Sequence, residues 1–512
     1  MASSIDSRRD AAEPSRRLPS IVLDRKVQFS DSRNATTATA ESRGVHTMAL
    51  TFWAADPPDV SFFSVRCTKP PMDRYNTADF KVAPHVVGAE GRFVLFRARF
   101  FGYPADEYFM YKAGRSPSLQ WVPLPDGDGR SVSRVVEFSI VPIGHGGHYL
   151  LAALCDAAKD APSDCRLRIY LSEYDMWSTS KLLNPYPGDG KLTPEKVITL
   201  GKGLLGWVDL SRGLLVCDLL RKDGKEPDVR FIPLPEPFPG NKEKLAKAST
   251  SARSFRDLAC HNGVIRFIEM EHHVRVTEWL SDGDTSKKDF IYDSDLIGSL
   301  KHRVMDKPNL SYAWRALTWT RRLSSNGWHK ECAVDVDEIL VHASVHLAIG
   351  EIGRTLTFWD LYSAFPTLSM DGDDILYLKS VVEPSELNGW VVARNLGKKT
   401  VKALGSYSFV HHDPFEQAFC ISTLSRHLNM TPGIEVSRCK ILNADNFPNG
   451  RNNASCGDDI CDSRHKWFER IKAENNKRAR DEAEITAQKE KVSRLLNSVI
   501  ELRNKLQGRQ VS

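Results

Sequence analysis

The chain has 512 residues, of which 41% are apolar and 26% charged, and its net charge is +5 at pH 7. These proportions fit a globular chain that buries a core over most of its length. So small a charge argues against an obligate nucleic-acid-binding protein, in which basic residues gather on one surface. The longest apolar run, Tyr149 to Cys155, is far shorter than the roughly 18 residues that a membrane helix needs.

The first residues are polar and predict a disordered N-terminus, residues 1–17, without the apolar segment of a secretory signal. We therefore expect an intracellular protein, cytoplasmic or nuclear, and its ten scattered cysteines fit reduced thiols there. Cys456 and Cys461 lie close together, with His465 just beyond. Zinc sites need four ligands, usually in tighter pairs, so this segment is interpreted as a loop and no metal is predicted.

Ordered structure is predicted to start at residue 18, with short apolar strands at Leu18–Asp24, Thr47–Trp53 and Val60–Val65. Asp56-Pro57-Pro58 separates the last two, where a turn needs a fixed φ and no hydrogen-bond donor.

The most regular stretch is Gly206–Asp218, in which an apolar strand, a tight turn and a second apolar strand predict a β-hairpin. Similar strand openings recur along the chain at nearly equal intervals. They begin at Gly91, Gly147, Gly206, Gly263 and Gly372. The last interval is close to two periods, so a further copy is predicted near residue 318, around Trp314 to Trp319.

A second marker supports the period, because Trp121–Pro125 and Phe231–Pro235 are near-copies two periods apart. Propeller blades contain short strands and repeat every 40–50 residues or so, roughly the period here, which is slightly longer. The predicted fold is therefore all-β, a propeller-like repeat of about six antiparallel sheets over residues 18–440. N-terminal strands are expected to help close the ring. The alternative is two packed β-sandwiches.

The C-terminal part has a different character. Phe415–Leu428 is predicted to be helical or mixed, residues 441–466 a polar linker, and residues 467–508 a long helix rich in Ala, Glu, Lys and Arg. Apolar residues recur on that helix at spacings of three and four, which indicates a short coiled coil and candidate self-association. They are Val492, Leu495, Val499, Leu502 and Leu506. The basic run Lys477–Arg480 is interpreted as a solvated helix face, with an anionic or nuclear-import partner as the alternative.

Several segments together resemble a known family. They are Pro19–Asp24, Arg33–Thr37, Ala55–Ser61, Gly206–Asp218, Arg230–Pro235 and Phe365–Asp371. On these segments the chain is similar to the plant domain-of-unknown-function family 1618 over about residues 18–440. The resemblance implies no catalytic, cofactor-binding or metal residues, because the family has none established. Some plant proteins with similar repeats stand behind an F-box and select substrates for ubiquitination.

Two histidine pairs are candidates for metal binding or proton transfer, since imidazole titrates near neutral pH. His411-His412 precedes Asp413, and His272-His273 follows Glu271. Adjacent residues of a strand point to opposite faces, so neither pair is expected to share a ligand.

Two groups of carboxylates are also candidates for a functional site. Asp371, Asp373 and Asp374 resemble the start of a calcium loop, but position twelve is Val382 rather than the expected Glu. Asp209 and Asp218 bracket the hairpin, and Asp209 is interpreted as a turn cap. No catalytic, cofactor-binding or metal residue is predicted, and no cofactor.

Function is then expected to be a non-catalytic protein-interaction platform. Tryptophans near strand ends or in loops could anchor a partner. They are Trp53, Trp121, Trp314 and Trp319. The alternative is a hydrolase or carbohydrate-active enzyme with carboxylates at the mouth of the propeller channel, and a weaker third hypothesis is nucleic-acid binding through the basic tail.

Overall fold

The computed structural model forms two units, Met1–Leu442 and Asn443–Ser512, and every residue that the structure describes lies in the first. The described residues are 20–42, 47–66, 80–100, 105–125, 135–144, 147–155, 164–183, 192–201, 203–219, 227, 229–246, 251–277, 290–291, 309–339, 341, 361–382, 388–408 and 419–428. The predicted N-terminal disorder, the linker, the C-terminal helix and its coiled-coil seam lie outside them, as do His411–Asp413 and Cys456–His465.

The described residues form six sheets, which we call blades 1 to 6. The N-terminal strands are β1 (Ile21–Leu23), β2 (Gln28–Phe29), β3 (Ala38–Glu41), β4 (Thr47–Trp53) and β5 (Val60–Arg66). Blade 2 contains β6 (Phe80–Glu90), β7 (Phe93–Phe100), β8 (Glu107–Lys112) and β9 (Ser118–Val122). Blade 3 contains β10 (Ser139–Ile143), β11 (His148–Cys155), β12 (Asp164–Leu171) and β13 (Met176–Leu183).

The second half of the ring follows the same plan. Blade 4 contains β14 (Lys196–Gly201), β15 (Leu204–Asp209), β16 (Gly213–Asp218) and β17 (Val229–Pro233), followed by helix α1 (Pro239–Ala246). Blade 5 contains β18 (Arg256–His261), β19 (Val264–Thr277), β20 (Phe290–Ile291), β21 (Asn309–Arg322) and β22 (His329–Asp335). Blade 6 contains β23 (Tyr362–Leu368), β24 (Ile375–Val381), β25 (Asn388–Asn395) and β26 (Thr400–Ser408). The last strand is β27 (Cys420–Ser422).

Both ends of the described chain build blade 1, whose strand order is β27-β1-β5-β4-β3. Strand β27 pairs antiparallel with β1 through Val22 and Ile421, and β1 pairs parallel with β5 through Val22 and Val60. In each blade, the strand at one end of the strand order contacts its counterpart in the next blade around the whole ring, from β6 through β10, β14, β18 and β23 to β27 and back to β6. This closed sequence of neighbours makes the fold a six-bladed β-propeller.

Apolar cores fill the seams between blades. One buried cluster joins blades 1 and 2, others join blades 2 and 3 and blades 3 and 4, and a large one runs through blades 4, 5 and 6. A last cluster, with Val22, Tyr377, Phe419 and Ile421, joins blade 6 to blade 1. Two packed sandwiches would not place six sheets in a closed sequence of neighbours, so the propeller prediction is confirmed and the alternative is wrong.

The predicted openings mark real turns. Gly91, Gly147, Gly263 and Gly372 lie between the first and second strands of their blades, each with φ between +57° and +84°. Glycine tolerates this left-handed backbone because it lacks a Cβ. In blade 4 the corresponding residue is Gly203 (φ +83°), because Gly206 lies inside β15.

The predicted copy near residue 318 is wrong in position. Trp314 and Trp319 lie in β21, which is the third strand of the blade that Gly263 opens. The interval is doubled because β19 and β21 have 14 residues each and a long connection joins them. The blade that completes the count of six is blade 1, not one near residue 318. Its closing strand β27 lies in the segment Phe415–Leu428, which was predicted to be helical or mixed, and a short 3₁₀ helix at Leu424–His427 follows it.

The Gly206–Asp218 hairpin forms as predicted, with Leu205 opposite Cys217 and Asp209 opposite Gly213. Gly213 permits close packing, since a Cβ there would lie 2.5 Å from the carbonyl oxygen of Ile232 and against the Phe231 ring. We expect Gly213→Ala to lower the free energy of unfolding by about 1–3 kcal/mol, because the backbone of β17 must move. Denaturant unfolding measures this. Gly114→Ala, where open space surrounds the position, is the control and should change stability by less than about 0.5 kcal/mol.

Candidate functional site

Buried charges from alternate blades meet at the axis of the ring. Arg25 follows β1 in blade 1, Glu137 precedes β10 in blade 3, and Arg253 precedes β18 in blade 5. Glu137 Oε2 lies 2.8 Å from Arg25 Nη2 and 3.3 Å from Arg253 Nη2, and all three side chains are buried. Side chains from three alternate blades can meet only near the axis, so one carboxylate holds two guanidinium groups there.

The pKa values of the two arginines reflect this geometry. Burial would lower the pKa of Arg25, but Glu137 is close enough to raise it above its ordinary value. The pKa of Arg253 is lowered, first by burial and then by the positive charge of Arg25. Both groups stay cationic at neutral pH, because a guanidinium is not deprotonated in proteins.

A second ion pair lies beside the first. Lys196 Nζ of β14 is 2.6 Å from Asp257 Oδ1 of β18, and Asp257 Oδ2 accepts the backbone N–H of Leu368 at 2.8 Å. Glu195, next to Lys196, accepts a hydrogen bond from the Ser251 hydroxyl at 3.2 Å. Burial raises the pKa of Glu195, and Arg253 acts in the opposite direction. Glu137 and Asp257 are therefore each paired with cations.

The described histidine pair divides between two faces, as strand alternation predicts. His272 Nε2 lies 2.8 Å from the carbonyl oxygen of Ser363, and its ring stacks on Tyr362. His273 Nε2 lies 3.7 Å from Glu271 Oε2 on the other face. Burial is the main cause that lowers the pKa of His273. The two imidazoles do not share a site.

The aspartates around Gly372 do not converge either. Asp371 accepts hydrogen bonds from the Ser20 hydroxyl and, at 3.1 Å, from Arg426. Asp374 pairs with Arg266 at 3.0 Å. Within the described ranges, no three His, Cys, Asp or Glu side chains gather closely enough to hold a metal ion.

Asp209 caps its turn, as the sequence indicates. Its Oδ1 accepts the N–H of Ser211 at 2.9 Å and its Oδ2 accepts that of Thr193 at 3.0 Å. Burial raises its pKa above the ordinary value. Asp218 pairs with Leu204 at the opposite end of the hairpin, so the two carboxylates do not form a catalytic pair.

The four tryptophans singled out from the sequence have different surroundings. Trp314 is 1% exposed and lies under Arg394, whose guanidinium carbon is 4.4 Å from the ring centroid. Trp53 donates to the Ser64 hydroxyl at 2.8 Å, and Trp121 packs against the core of blades 1 and 2. Trp319 is partly exposed, as Trp53 and Trp121 are, and it is the one of the four that lines a surface cleft.

This cleft, of about 310 Å³, lies between the segment that follows β17 and the strand β21. We call it the blade 4/5 cleft. Its walls are Glu236, Pro237, Phe238, Pro239, Lys242, Leu317 and Trp319. Glu236 and Lys242 pair with each other at 2.7 Å on the rim, so the interior of the cleft is aromatic, aliphatic and proline-rich.

Local structure holds the two walls rigidly. Proline at the first position of α1 suits a helix start, and Phe238 N–H donates to Glu269 Oε1 at 3.1 Å while Gly240 N–H donates to Glu271 Oε1 at 3.0 Å. On the other wall, the Trp319 ring packs on Phe267, with centroids 5.4 Å apart.

One face of β21 continues the cleft with charged groups. Alternate residues of a strand share a face, so this face presents Arg315, Leu317, Trp319 and Arg321. Arg315 Nε lies 2.6 Å from Glu271 Oε2, and its guanidinium lies 4.7 Å from the Phe238 ring centroid. At the other end, burial and then the charge of Arg230 lower the pKa of Arg321.

The cleft was only partly visible in the sequence. Trp319 was among the candidate anchors, but Phe238 was not, although Pro235-Glu236-Pro237-Phe238-Pro239 places an aromatic residue among prolines that stiffen the backbone. The alternation of Arg315, Leu317, Trp319 and Arg321 was the second available signal.

These features define a six-bladed propeller whose axis is occupied by ion pairs and whose surface carries an apolar cleft between two blades. Residues 207–377, from β15 to β24, match the family described as "Protein of unknown function (DUF1618)". The family resemblance indicated by the sequence is thereby confirmed over this range. No curated protein matches the chain, and within the described residues no helix is long and apolar enough to span a membrane.

Solved structures with some likeness include three enzymes that act on carbohydrates. An exo-β-1,3-galactanase from Phanerochaete chrysosporium aligns over 71% of this chain at 9% identity and a TM-score of 0.24, and this chain spans 60% of that enzyme. An α-L-arabinanase from Penicillium chrysogenum (76% of this chain, 98% of that one) has 10% identity and a TM-score of 0.23. The polysaccharide lyase Uly1, with the same coverage, has 10% identity and a TM-score of 0.25. Likenesses this distant carry no argument about function.

Proposed function

We propose that this protein is a non-catalytic interaction platform, and that its blade 4/5 cleft binds a segment of another protein. The observation that carries the proposal is the cleft itself, which is lined by Phe238 on its proline-stiffened wall and by Leu317 and Trp319 on its β21 wall. Interface energy concentrates in such places, where an aromatic residue lies in a well-packed pocket. A rigid wall also reduces the conformational entropy that is lost when a partner binds.

The axial carboxylates favour the platform over an enzyme. A hydrolase at the channel mouth would need two carboxyl groups available for acid, base or nucleophilic work. Glu137 holds two buried arginines, and Asp257 holds Lys196 and a backbone N–H. To act on a substrate either group would have to leave a buried ion pair, which is strongly unfavourable.

Self-association is a separate part of the proposal. It rests on the heptad spacing of Val492, Leu495, Val499, Leu502 and Leu506 in the sequence. We therefore propose that the C-terminal segment, outside the described residues, supplies a pairing helix while the propeller supplies the cleft.

The cleft is tested by Trp319→Ala. We expect proteins that co-purify with the full-length chain from a cell lysate to be lost, because truncation of a central aromatic anchor commonly weakens binding about 30-fold or more. Tyr174→Ala is a matched control, since Tyr174 is an aromatic residue 67% exposed at a turn of blade 3. Quantitative mass spectrometry of the recovered proteins, with thermal melts to verify folding, gives the readout. Equal recovery with both variants would contradict the proposal, as would turnover of a glycan or ester by the purified protein.

A further inference from the structure

We infer that the blade 4/5 cleft takes an acidic, extended peptide segment of a partner protein that also carries an apolar anchor residue. This inference rests on the proposed function, and it adds the chemistry of the partner. It depends on the charges at one end of the cleft and on the charge of the chain itself.

The cationic side chains on and around the cleft are not all paired with carboxylates. Arg315 is paired with Glu271, Arg266 with Glu331 and Asp374, and Lys242 with Glu236. Within the described part of the chain, Arg321 and Arg230 have no carboxylate within ion-pair distance. Arg230 instead donates to the carbonyl oxygen of Leu323 at 3.0 Å.

Arg321 is placed to meet a ligand in the cleft. It shares the face of β21 with Trp319, two residues away, which is about 7 Å along a strand. Its Nε is buried and makes no hydrogen bond to the described residues. A carboxylate that pairs with the Arg321 guanidinium would offset the repulsion from Arg230 through a charge-assisted hydrogen bond.

By net charge, neither the C-terminal residues 467–508 taken as a whole nor a second copy of the chain complements this end of the cleft. The C-terminal residues 467–508 contain more Lys and Arg than Asp and Glu, and the whole chain has a net charge of +5. The tail and a second copy would both bring excess positive charge to Arg230 and Arg321. An acidic segment from another protein is complementary in charge, and the apolar residues of the two walls accommodate its anchor side chain.

The experiment uses the full-length protein and fluorescein-labelled peptides of about ten residues, which span about 33 Å when extended. One peptide contains several Glu residues around a central Phe, a second replaces each Glu by Gln, and a third replaces each Glu by Lys. Fluorescence anisotropy is measured at about 50 mM and about 200 mM salt, because a partly exposed charge contact weakens as salt screens it.

We expect the Glu peptide to bind at least about tenfold more tightly than the Gln peptide, and the Lys peptide most weakly. Arg321→Gln and Arg230→Gln should each weaken the Glu peptide about five- to tenfold and leave the Gln peptide unchanged. Arg322→Gln is the matched control, since Arg322 is exposed and points to the other face of β21. It should change neither peptide.

Other outcomes would overturn the inference. Equal affinity for the Glu and Gln peptides, including no binding of either, would contradict the inference that the partner segment is acidic. Competition by a synthetic peptide of residues 467–508 would make the chain's own tail the occupant, and a mass in sedimentation that doubles unless Trp319 is replaced would make it a second copy. If none of the peptides binds while Trp319→Ala still abolishes partner recovery, the proposed platform function is supported and the acidic character of the partner is contradicted. If Trp319→Ala has no effect on either readout, the platform proposal fails as well.

Discussion

Replacing Glu137 by Gln should lower the free energy of unfolding by about 3–5 kcal/mol, the cost of removing one partner from a buried ion pair. The Glu137 carboxylate holds Arg25 and Arg253 at the propeller axis, and all three side chains are buried. Glutamine keeps nearly the same shape and one acceptor oxygen but removes the negative charge. Two guanidinium groups would then share a buried site with less compensation, and they repel each other.

Urea-induced unfolding of wild-type and variant proteins measures the change. The control is Glu236→Gln, because Glu236 pairs with Lys242 on the surface with a side chain that is 80% exposed. That pair is screened by water, and its loss should leave the unfolding midpoint unchanged. A Glu137→Gln protein as stable as the control would show that another group, such as Glu195, compensates the arginines and that the Glu137 bridge is dispensable.

The axial ion pairs could not be predicted from the sequence. Arg25 and Glu137 are 112 residues apart, and Glu137 and Arg253 are 116 apart. Such pairs are created by ring closure, and no local pattern encodes them. Sequence reasoning favoured charged residues that are neighbours in the chain, such as His272-His273 and Asp371-Gly372-Asp373-Asp374. Strand alternation and nearby arginines then separated or neutralised them.

The fold could be predicted from the sequence much more completely than the site. Each of the repeats begins with a strand, a glycine turn and a strand, so the regular period was visible in the positions of Gly91, Gly147 and Gly263. N-terminal strands were expected to help close the ring, and they form most of blade 1. Their C-terminal partner was not predicted, because β27 has only three residues and pairs with β1 from the opposite end of the described chain. The long strands of blade 5 extend over about two repeat periods, so a separate blade was predicted near residue 318. No blade begins there, and the sixth blade of the ring is blade 1.

Replacing Lys379 by Met should stabilise the protein at neutral pH by about 1–3 kcal/mol, since a buried charge is removed and the volume is kept. Lys379 lies on β24 at the seam between blade 6 and blade 1 and is 9% exposed. Its ammonium group lies 4.5 Å from the ring centroid of Phe419 and 5.4 Å from that of Phe365. Burial lowers the pKa of Lys379 to about 8, while Asp24 acts to raise it and Lys26 to lower it further.

The magnitude follows from the difference between the folded and unfolded pKa values. An unfolded lysine titrates near 10.5, so a folded pKa of about 8 means that the charged form costs the folded state about 3 kcal/mol. Methionine loses the attraction of the aromatic rings for the cation, about 0.5–2 kcal/mol. Methionine fills a similar volume without a charge. The net gain is therefore smaller than the full cost.

The pH dependence gives this prediction a distinct signature. Between pH 8 and pH 10.5 the folded Lys379 has released its proton while the unfolded side chain still holds one. The unfolded state then binds more protons, so the contribution of Lys379 to stability rises with pH across this window. Lys379→Met lacks this gain, and its advantage over the wild type should shrink from pH 7 to pH 10. The buried Tyr149 and Tyr377, whose pKa values burial raises, affect both proteins equally and cancel in the difference.

Free energies of unfolding of the two proteins at several pH values between 7 and 10 measure that difference. Lys402→Met, at an exposed lysine of the outer strand β26, should show no pH-dependent difference from the wild type. A constant gap for Lys379→Met would mean that methionine acts through packing alone and that Lys379 keeps its proton in the folded state throughout. A gap that shrinks with pH would locate a charge penalty at the seam where β27 closes the ring. Ring closure would then tighten as Lys379 loses its proton.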